Sequence, residues 1–343
     1  MKIIENYKNL AQKYEILSQI GAGGMSAIYL AKNKENGQKV AIKVMNSKLS
    51  KDEKALKRLE NEIRLTKKIN SRNVMKVFDY CLDTQEEEYW IALEFIDGTV
   101  LKSALESVGS FTISEVISLG CQIIAGVKAI HTQKTAHRDL KDTNIMINSL
   151  KEIKIIDLGI AKDLETPDLT KETSVIGSVQ YMAPELFSKS SLDAEEELHK
   201  NQRADIYAIG ILLYQMVIGS VPFNDKNSMS GMVRIKEMQQ SSEIPNIRSL
   251  RENVPQGLIN VIKKAVAKDP RNRYKTLEDF YKDLTTANSP KRLNEPEVDF
   301  SKKKKKSFVD VISGKTGTII VVCAFLVVAL VLVLAILAFK GVF

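Results

Sequence analysis

The sequence predicts an α+β fold in which a strand-rich part precedes a helical part, with one transmembrane helix after both. Three observations predict it. Five short apolar stretches of strand character and one helical stretch occupy the chain from Tyr14 to Phe95. Helical periodicity takes over from Ser114, and strands followed by helices mark an α+β rather than an alternating architecture. The third is an unbroken apolar run of 22 residues from Thr318 to Phe339.

At 343 residues, 44% of them hydrophobic and 27% charged, the chain can bury a large core and suits one large or two ordinary domains. Cys81, Cys121 and Cys323 form no CxxC pair and the three histidines are scattered, which excludes a zinc site and a disulfide framework. Of the net charge of +8, five positive charges are the run Lys302 to Lys306 and the rest are spread, so nucleic acid is not an expected partner. The N-terminus, MKIIENYKNL, lacks an apolar stretch of signal-peptide length, so the first domain is expected in the cytosol.

The first strand, Tyr14 to Ile20, runs into GAGGMSAIYLA. Gly21, Gly23 and Gly24 let the backbone turn tightly and approach phosphate oxygens without Cβ interference. Ala27 to Ala31 continues as strand rather than helix, which disfavours a dinucleotide-binding turn, and no GK[ST] follows to make a Walker A loop. In KVAIKVM, Lys39 to Met45, alternation sends Val40, Ile42 and Val44 to one face and Ala41, Lys43 and Met45 to the other. A lysine there needs an anionic partner. The helix predicted over Lys51 to Asn70 carries the apolar stripe Leu56, Leu59, Ile63 and Ile69, with Glu62 at its edge and Glu60 the next candidate. Strands Val74 to Tyr80 and Tyr89 to Phe95 flank the acidic turn Asp83 to Glu88, and LEFIDG follows.

Ser114 to Thr132 reads as a buried helix started by Ser114. After it comes HRDLKDTN, His137 to Asn144, and then strands Ile145 to Ile147 and Ile153 to Ile156 ending at Asp157. A hairpin of that length returns Asp157 to the level of Asn144. Asp139, Lys141, Asn144 and Asp157 therefore converge. An amide and a carboxylate oxygen suit a hard cation such as Mg2+, while Asp139 is left to accept a proton.

These motifs resemble those of eukaryotic-type protein kinases, in which HRDLxxxN is followed by DFG, here DLG with Leu158, and preceded by a VAIK strand. GAGGM, VIGSVQYMAPE and AVAKDPRNRY make the chain most similar to bacterial membrane-anchored, eukaryotic-like (Hanks-type) serine/threonine protein kinases, the group that includes the PASTA kinases. No PASTA repeats are expected, because four residues follow Phe339. The resemblance covers Tyr14 to Leu284 and implies a bilobal fold: an extension at 1–13, an N-lobe of antiparallel sheet plus one helix at 14–96 and a mainly helical C-lobe at 97–285. A linker and basic juxtamembrane segment (286–317), the transmembrane helix (318–339) and a short outer tail (340–343) complete the chain.

It also implies roles. ATP would be covered by Ile20, Gly21, Ala22, Gly23, Gly24, Met25, Ser26, Ala27 and Ile28, with Ala41, Leu93 and the backbone of Glu94 and Ile96 around the adenine and Lys43 on the phosphates. Glu62 would pair with Lys43, Asn144 and Asp157 would hold Mg2+ or Mn2+ in its place, Asp139 would take the proton of the acceptor hydroxyl, and Lys141 would neutralise charge at the transferred phosphate. Lys141 and Ser178 point to Ser/Thr acceptors on protein substrates. Thr170, Thr173 and Ser174 are candidate autophosphorylation sites whose phosphate would pair with Arg138, and a homodimer would serve phosphorylation in trans. Asp205 would brace the catalytic loop and begin a helix to Ile218, while Arg273 would pair with Glu185 of the APE segment.

The apolar run spans about 33 Å as a helix, enough for a hydrocarbon core of roughly 30 Å. Lysines 302–306 precede it and only Lys340 follows, so a single-pass anchor in the cell membrane would leave the kinase domain cytoplasmic, with the lysines meeting anionic headgroups. The rival reading is a membrane-bound pseudokinase scaffold, suggested by the departures at Ser26, Leu158 and Ser178 and opposed by the intact Lys43, Asp139, Asn144 and Asp157.

Overall fold

A computed structural model describes residues 7–22, 26–45, 53–157, 177–187, 192–225 and 228–300. Gly23, Gly24, Met25, Leu158, Thr170, Thr173, Ser174, the lysine run 302–306 and the apolar run 318–339 lie outside the described residues.

The N-terminal part is an antiparallel sheet built from β1 (Tyr14–Ala22), β2 (Ser26–Asn33), β3 (Lys39–Met45), β4 (Val77–Asp83) and β5 (Glu88–Glu94), in the order β1-β2-β3-β5-β4. Alternation along β3 decides what each face packs. Val40, Ile42 and Val44 join Trp90 and Ala92 beneath Tyr7, Leu10 and Tyr14, whereas Ala41 and Met45 face the other way, toward Leu59 and Ile63 of α2 (Glu53–Lys67).

The first of those faces is covered by α1 (Lys8–Lys13), in a stretch that the sequence marks only as an extension. So short a helix leaves most of its N–H groups unsatisfied. Glu88, 1% exposed, supplies the acceptors: Oε1 takes the Asn9 N–H at 3.0 Å, and Oε2 takes Leu10 N–H at 3.3 Å and Trp90 Nε1–H at 3.4 Å.

Between α2 and β4 the chain makes a parallel bridge to the second half of the molecule, pairing Val74 with Ile155. Ile155 N–H donates to Asn73 O at 2.8 Å and Met75 N–H to Ile155 O at 2.9 Å. A small sheet, β6 (Gly98–Val100), β7 (Ile145–Asn148) and β8 (Ile153–Ile155), follows the crossing.

Beneath that sheet lie α3 (Leu101–Val108) and α4 (Ile113–Thr132), then α5 (Ala194–Ile218), α6 (Ser228–Ser241), α7 (Ile247–Leu250), α8 (Gln256–Ala265) and α9 (Leu277–Thr285). α4, α5, α8 and α9 share one core in which Ile123, Val127, Ile130, Tyr207, Leu213, Leu258 and Phe280 are sealed from water. Each fully buried aliphatic or aromatic side chain of this kind contributes about 1.5–3 kcal/mol. By length and composition α4 could cross a membrane, but Val116, Leu119, Ile123, Ile124, Val127 and Ile130 bury its apolar face in this core.

Three element boundaries differ from expectation. α4 is capped by Thr112, not Ser114: the Thr112 hydroxyl accepts from Glu115 N–H at 3.2 Å, and the Glu115 carboxylate accepts Thr112 N–H at 3.0 Å. α5 starts at Ala194 rather than at Asp205, because the acidic stretch is its first turn, capped by Asp193, whose carboxylate accepts from Glu195 and Glu196 N–H at 2.9 Å. Negative side chains there also complement the helix dipole. Residues 286–298, expected to be linker, are held on α8: Asn260 Nδ2 donates to Glu295 Oε1 and Pro296 O at 2.8 Å, and Asn260 Oδ1 accepts Val298 N–H at 3.0 Å.

Candidate active site

The β7–β8 hairpin sets the geometry. Ile145 pairs with Ile155 and Ile147 with Ile153, and Ile156 N–H then donates to Asn144 O at 2.9 Å, so Asp157 emerges beside Asn144. Asp157 has φ +52°, a left-handed conformation that turns the chain away at this point. Asn144, 7% exposed, donates its Nδ2 to Asp139 O at 2.8 Å and to Asp139 Oδ2 at 3.3 Å. Lys141 Nζ lies 2.9 Å from Asp139 Oδ2 and donates to Ser178 Oγ at 2.9 Å. Asp139, Lys141, Asn144 and Ser178 thus form one connected cluster.

Lys43 reaches the cluster from β3, its Nζ 2.8 Å from Asp157 Oδ1. Asp157 is thus one anionic partner of Lys43, and the expected partner Glu62 stands on α2, which packs against the same face of β3. Leu59 and Ile63 take the sheet-facing stripe of α2, which leaves Glu62 at its margin. The described part of the glycine loop lies over the same strand: Gly21 is opposite Ile28, Ile28 opposite Lys43, Ala22 opposite Ala27, and Ser26 opposite Met45. Ile20 beside them is 48% exposed.

At the expected hinge, Ala41 stands opposite Leu93 and Val40 opposite Glu94. Glu94 N–H donates to Lys76 O at 2.9 Å, and the Glu94 carboxylate takes Lys154 Nζ at 2.6 Å. Leu93, 5% exposed, packs with Leu59, Ile63, Val77 and Ile91, and Ile96 follows half-buried.

The donor set fits a hard divalent cation. Asn144 spends its amide hydrogens on Asp139, so its Oδ1 oxygen is the atom left to coordinate, and Asp157 supplies carboxylate oxygens next to it. Oxygen donors of this kind suit Mg2+ or Mn2+ completed by water and phosphate.

Behind the cluster, Asp205 is 1% exposed and accepts three N–H groups: His137 N at 2.8 Å, Arg138 N at 3.0 Å, and His131 Nε2 at 2.8 Å. It fastens the backbone of the HRD segment to the middle of α5, where Arg138 adopts φ +64°. His137 is fully buried, and burial holds its imidazole below the usual histidine range, so the neutral ring can accept Asp139 N–H at 3.3 Å. Arg273 and Glu185 are paired as expected, at 2.6 and 2.8 Å.

Sequence reasoning missed the supports of the segment 178–183. Tyr181 OH donates to Gln215 Oε1 at 2.7 Å, and Gln215 Nε2 donates to Asp142 Oδ2 at 2.9 Å. Gln239, fully buried, donates to Val179 O at 3.2 Å and to Gln180 O at 2.8 Å, and accepts the Tyr207 hydroxyl. One signal was present: Gln215 interrupts the apolar stretch ILLYQMVI on α5.

Residues 14–284 match the family model described as the protein kinase domain. The chain is 33% identical to the serine/threonine-protein kinase PrkC of Bacillus subtilis over 84% of its own length and 42% of that protein, and 29% identical to the serine/threonine-protein kinase PknB of Mycobacterium tuberculosis over 84% and 45%. It therefore spans less than half the length of these curated relatives. The crystal structure of the PknI kinase domain of Mycobacterium tuberculosis has the same fold, with a TM-score of 0.59 at 20% identity, over 80% of this chain and 96% of that one. The chain belongs to the protein kinase domain family.

Proposed function

We propose that this chain transfers the γ-phosphate of ATP to serine and threonine hydroxyls of proteins, its own activation loop included. The observation that supports this reading most is the unbroken set of contacts from Asn144 through Asp139 and Lys141 to Ser178. In this mechanism Asp139 accepts the proton of the acceptor hydroxyl as its oxygen bonds the γ-phosphorus and the bond to the bridging oxygen of ADP breaks. Lys141, between Asp139 and Ser178, neutralises charge on the transferred group and orients the acceptor segment. Lys43 holds the α- and β-phosphates, with the glycine loop above them. Asn144 and Asp157 would hold Mg2+, which offsets phosphate charge when bound. Catalysis is then positioning and electrostatics rather than covalent chemistry.

The remaining parts of the reading rest on sequence. Residues 318–339 anchor the chain in the cell membrane, lysines 302–306 meet anionic headgroups, and pairing of two copies serves phosphorylation of Thr170, Thr173 or Ser174 in trans. The test is the full-length chain incubated with labelled ATP and Mg2+ beside Lys43→Met and Asp139→Asn. Label on serine or threonine is expected in the unaltered chain, and Asp139→Asn should lower transfer by about 10²–10⁴ while ATP still binds. Transfer unchanged in Asp139→Asn, or absent from a folded chain that binds ATP, would overturn the reading, the latter in favour of a scaffold.

A further inference from the structure

Asp142 is a buried carboxylate for which the mechanism has no use. It is 8% exposed and sits in the 3-10 turn Asp142–Asn144, directly after Lys141. Burying a carboxylate is costly unless hydrogen bonds compensate it. Its compensation comes from Gln215 on α5 and from Tyr181, which acts on it both through Gln215 and directly.

The direction of these bonds follows from chemistry. A tyrosine hydroxyl both donates and accepts, so Tyr181 alone would allow either orientation of the Gln215 amide. An ionised carboxylate only accepts. Asp142 therefore forces Gln215 to aim Nε2 at it and Oε1 at Tyr181, which makes the Tyr181 hydroxyl a donor. Burial, and next the Asp142 carboxylate, push the Tyr181 phenol well above the usual tyrosine range, so the donating proton stays in place.

The same two segments are tied a second time, one residue earlier in the loop. Lys141 Nζ donates to Ser178 Oγ at 2.9 Å, and Tyr181 N–H donates to Ser178 O at 3.2 Å. Positions 141 and 142 thus grip the segment 178–181 at two points, and Asp139 lies just before them.

We propose that Asp142 is a positioning residue for protein-substrate recognition: through Gln215 and Tyr181 it keeps the segment 178–181 in register with Asp139. This rests on the protein kinase reading for its kinetic consequence but not for its structural one. The competing account is that Gln239, holding Val179 O and Gln180 O, fixes the segment without help from Asp142.

The experiment compares the full-length chain with Asp142→Ala, Asp142→Asn, Tyr181→Phe and the double variant Asp142→Ala/Tyr181→Phe. Amide hydrogen exchange is read first, because it needs no activity. Faster exchange across residues 177–182 in Asp142→Ala, with β1 to β3 unchanged, is expected; unchanged exchange there overturns the proposal. Kinetics follow with dephosphorylated casein. KM for casein should rise roughly tenfold in Asp142→Ala with KM for ATP unmoved, the double variant should be no worse than either single change, and Asp142→Asn, which keeps one acceptor oxygen, should fall between. Parallel loss in both KM values, or additive effects, would assign Asp142 to general stability and overturn the proposal. If Asp142→Ala fails to fold, Asp142→Asn and Tyr181→Phe carry the same two readouts. Absence of transfer by the unaltered chain would count against the kinase reading, while the exchange result still decides the Asp142 link.

Discussion

Arg273 grips Glu185 through two parallel hydrogen bonds, Nη1 to Oε1 at 2.6 Å and Nη2 to Oε2 at 2.8 Å, with no part of the arginine side chain exposed. Its other N–H groups go to Ala267 O at 2.8 Å, Arg203 O at 3.0 Å and Lys268 O at 3.3 Å, and the Tyr207 ring lies 4.9 Å from the guanidinium carbon. One side chain ties the 3-10 turn Pro184–Phe187 to α5 and to the stretch between α8 and α9.

Removing that arginine strands Glu185 and three carbonyls in the interior. Arg273→Ala should therefore cost about 3–5 kcal/mol, seen as a fall in Tm on the order of 10 °C in a thermal melt. Arg273→Lys should recover little, because a lysine cannot make the two-pronged bond or reach the three carbonyls together. A melt within 2 °C or so of the unaltered chain would contradict this account of the pair.

Glu88 is the anchor of α1. Glu88→Ala leaves the N–H groups of Asn9, Leu10 and Trp90 without their acceptor, a loss of roughly 2–3 kcal/mol. The expected signs are early amide exchange at residues 9 and 10 and a red-shifted emission from Trp90, the single tryptophan. Emission and exchange both unchanged would mean that the packing of Tyr7 and Leu10 suffices.

Lys268 gives a pH dependence with a definite sign. Desolvation lowers its pKa from 10.5 to about 8; Glu243 opposes the shift and Arg273 adds to it, while the ammonium faces Met238 O and the Phe223 ring. Between about 8 and 10.5 the unfolded chain holds a proton that the folded chain has released, so this residue's contribution to stability rises with pH across that window. Lys268→Met removes the dependence. The difference in Tm between variant and unaltered chain should favour the variant more at pH 7 than at pH 9.5; a difference independent of pH would refute the assignment.

Asp193→Ala removes the cap of α5 and should cost about 1 kcal/mol, confined to its first turns. Hydrogen exchange across residues 195–198 is the direct measure, and loss of protection deep in α5 would show that the cap does more than hold the end.

The parts of the fold legible in the sequence are those with a short period and a sharp boundary. β3 could be read to the residue because Val40, Ile42 and Val44 alternate with Ala41, Lys43 and Met45, and the hairpin that brings Asp157 to Asn144 was visible from its two isoleucine-rich strands. The start of α5 was hidden because EEELHK has a single apolar residue, Leu198, and gives no stripe, so its role as a helix start shows only through the Asp193 cap. Residues 286–298 look like linker from Pro290 and Pro296, since nothing local signals that Asn260, buried on α8, will hold them. The contact of Lys43 with Asp157 was not legible for a similar reason, since it depends on how β3 lies over the end of β8.

The bonds from Asn73 and Met75 to Ile155 have a mechanical consequence. They form a short backbone seam between the two lobes, close to the β4 edge of the N-terminal sheet. β1 lies four strand spacings away, about 19 Å. A tilt of five degrees or so about the seam would displace β1 on the order of 1–2 Å, while Asp157, two residues beyond Ile155, would barely move. The seam is thus a fulcrum in the geometric sense: a rotation about it displaces β1 most and Asp157 least.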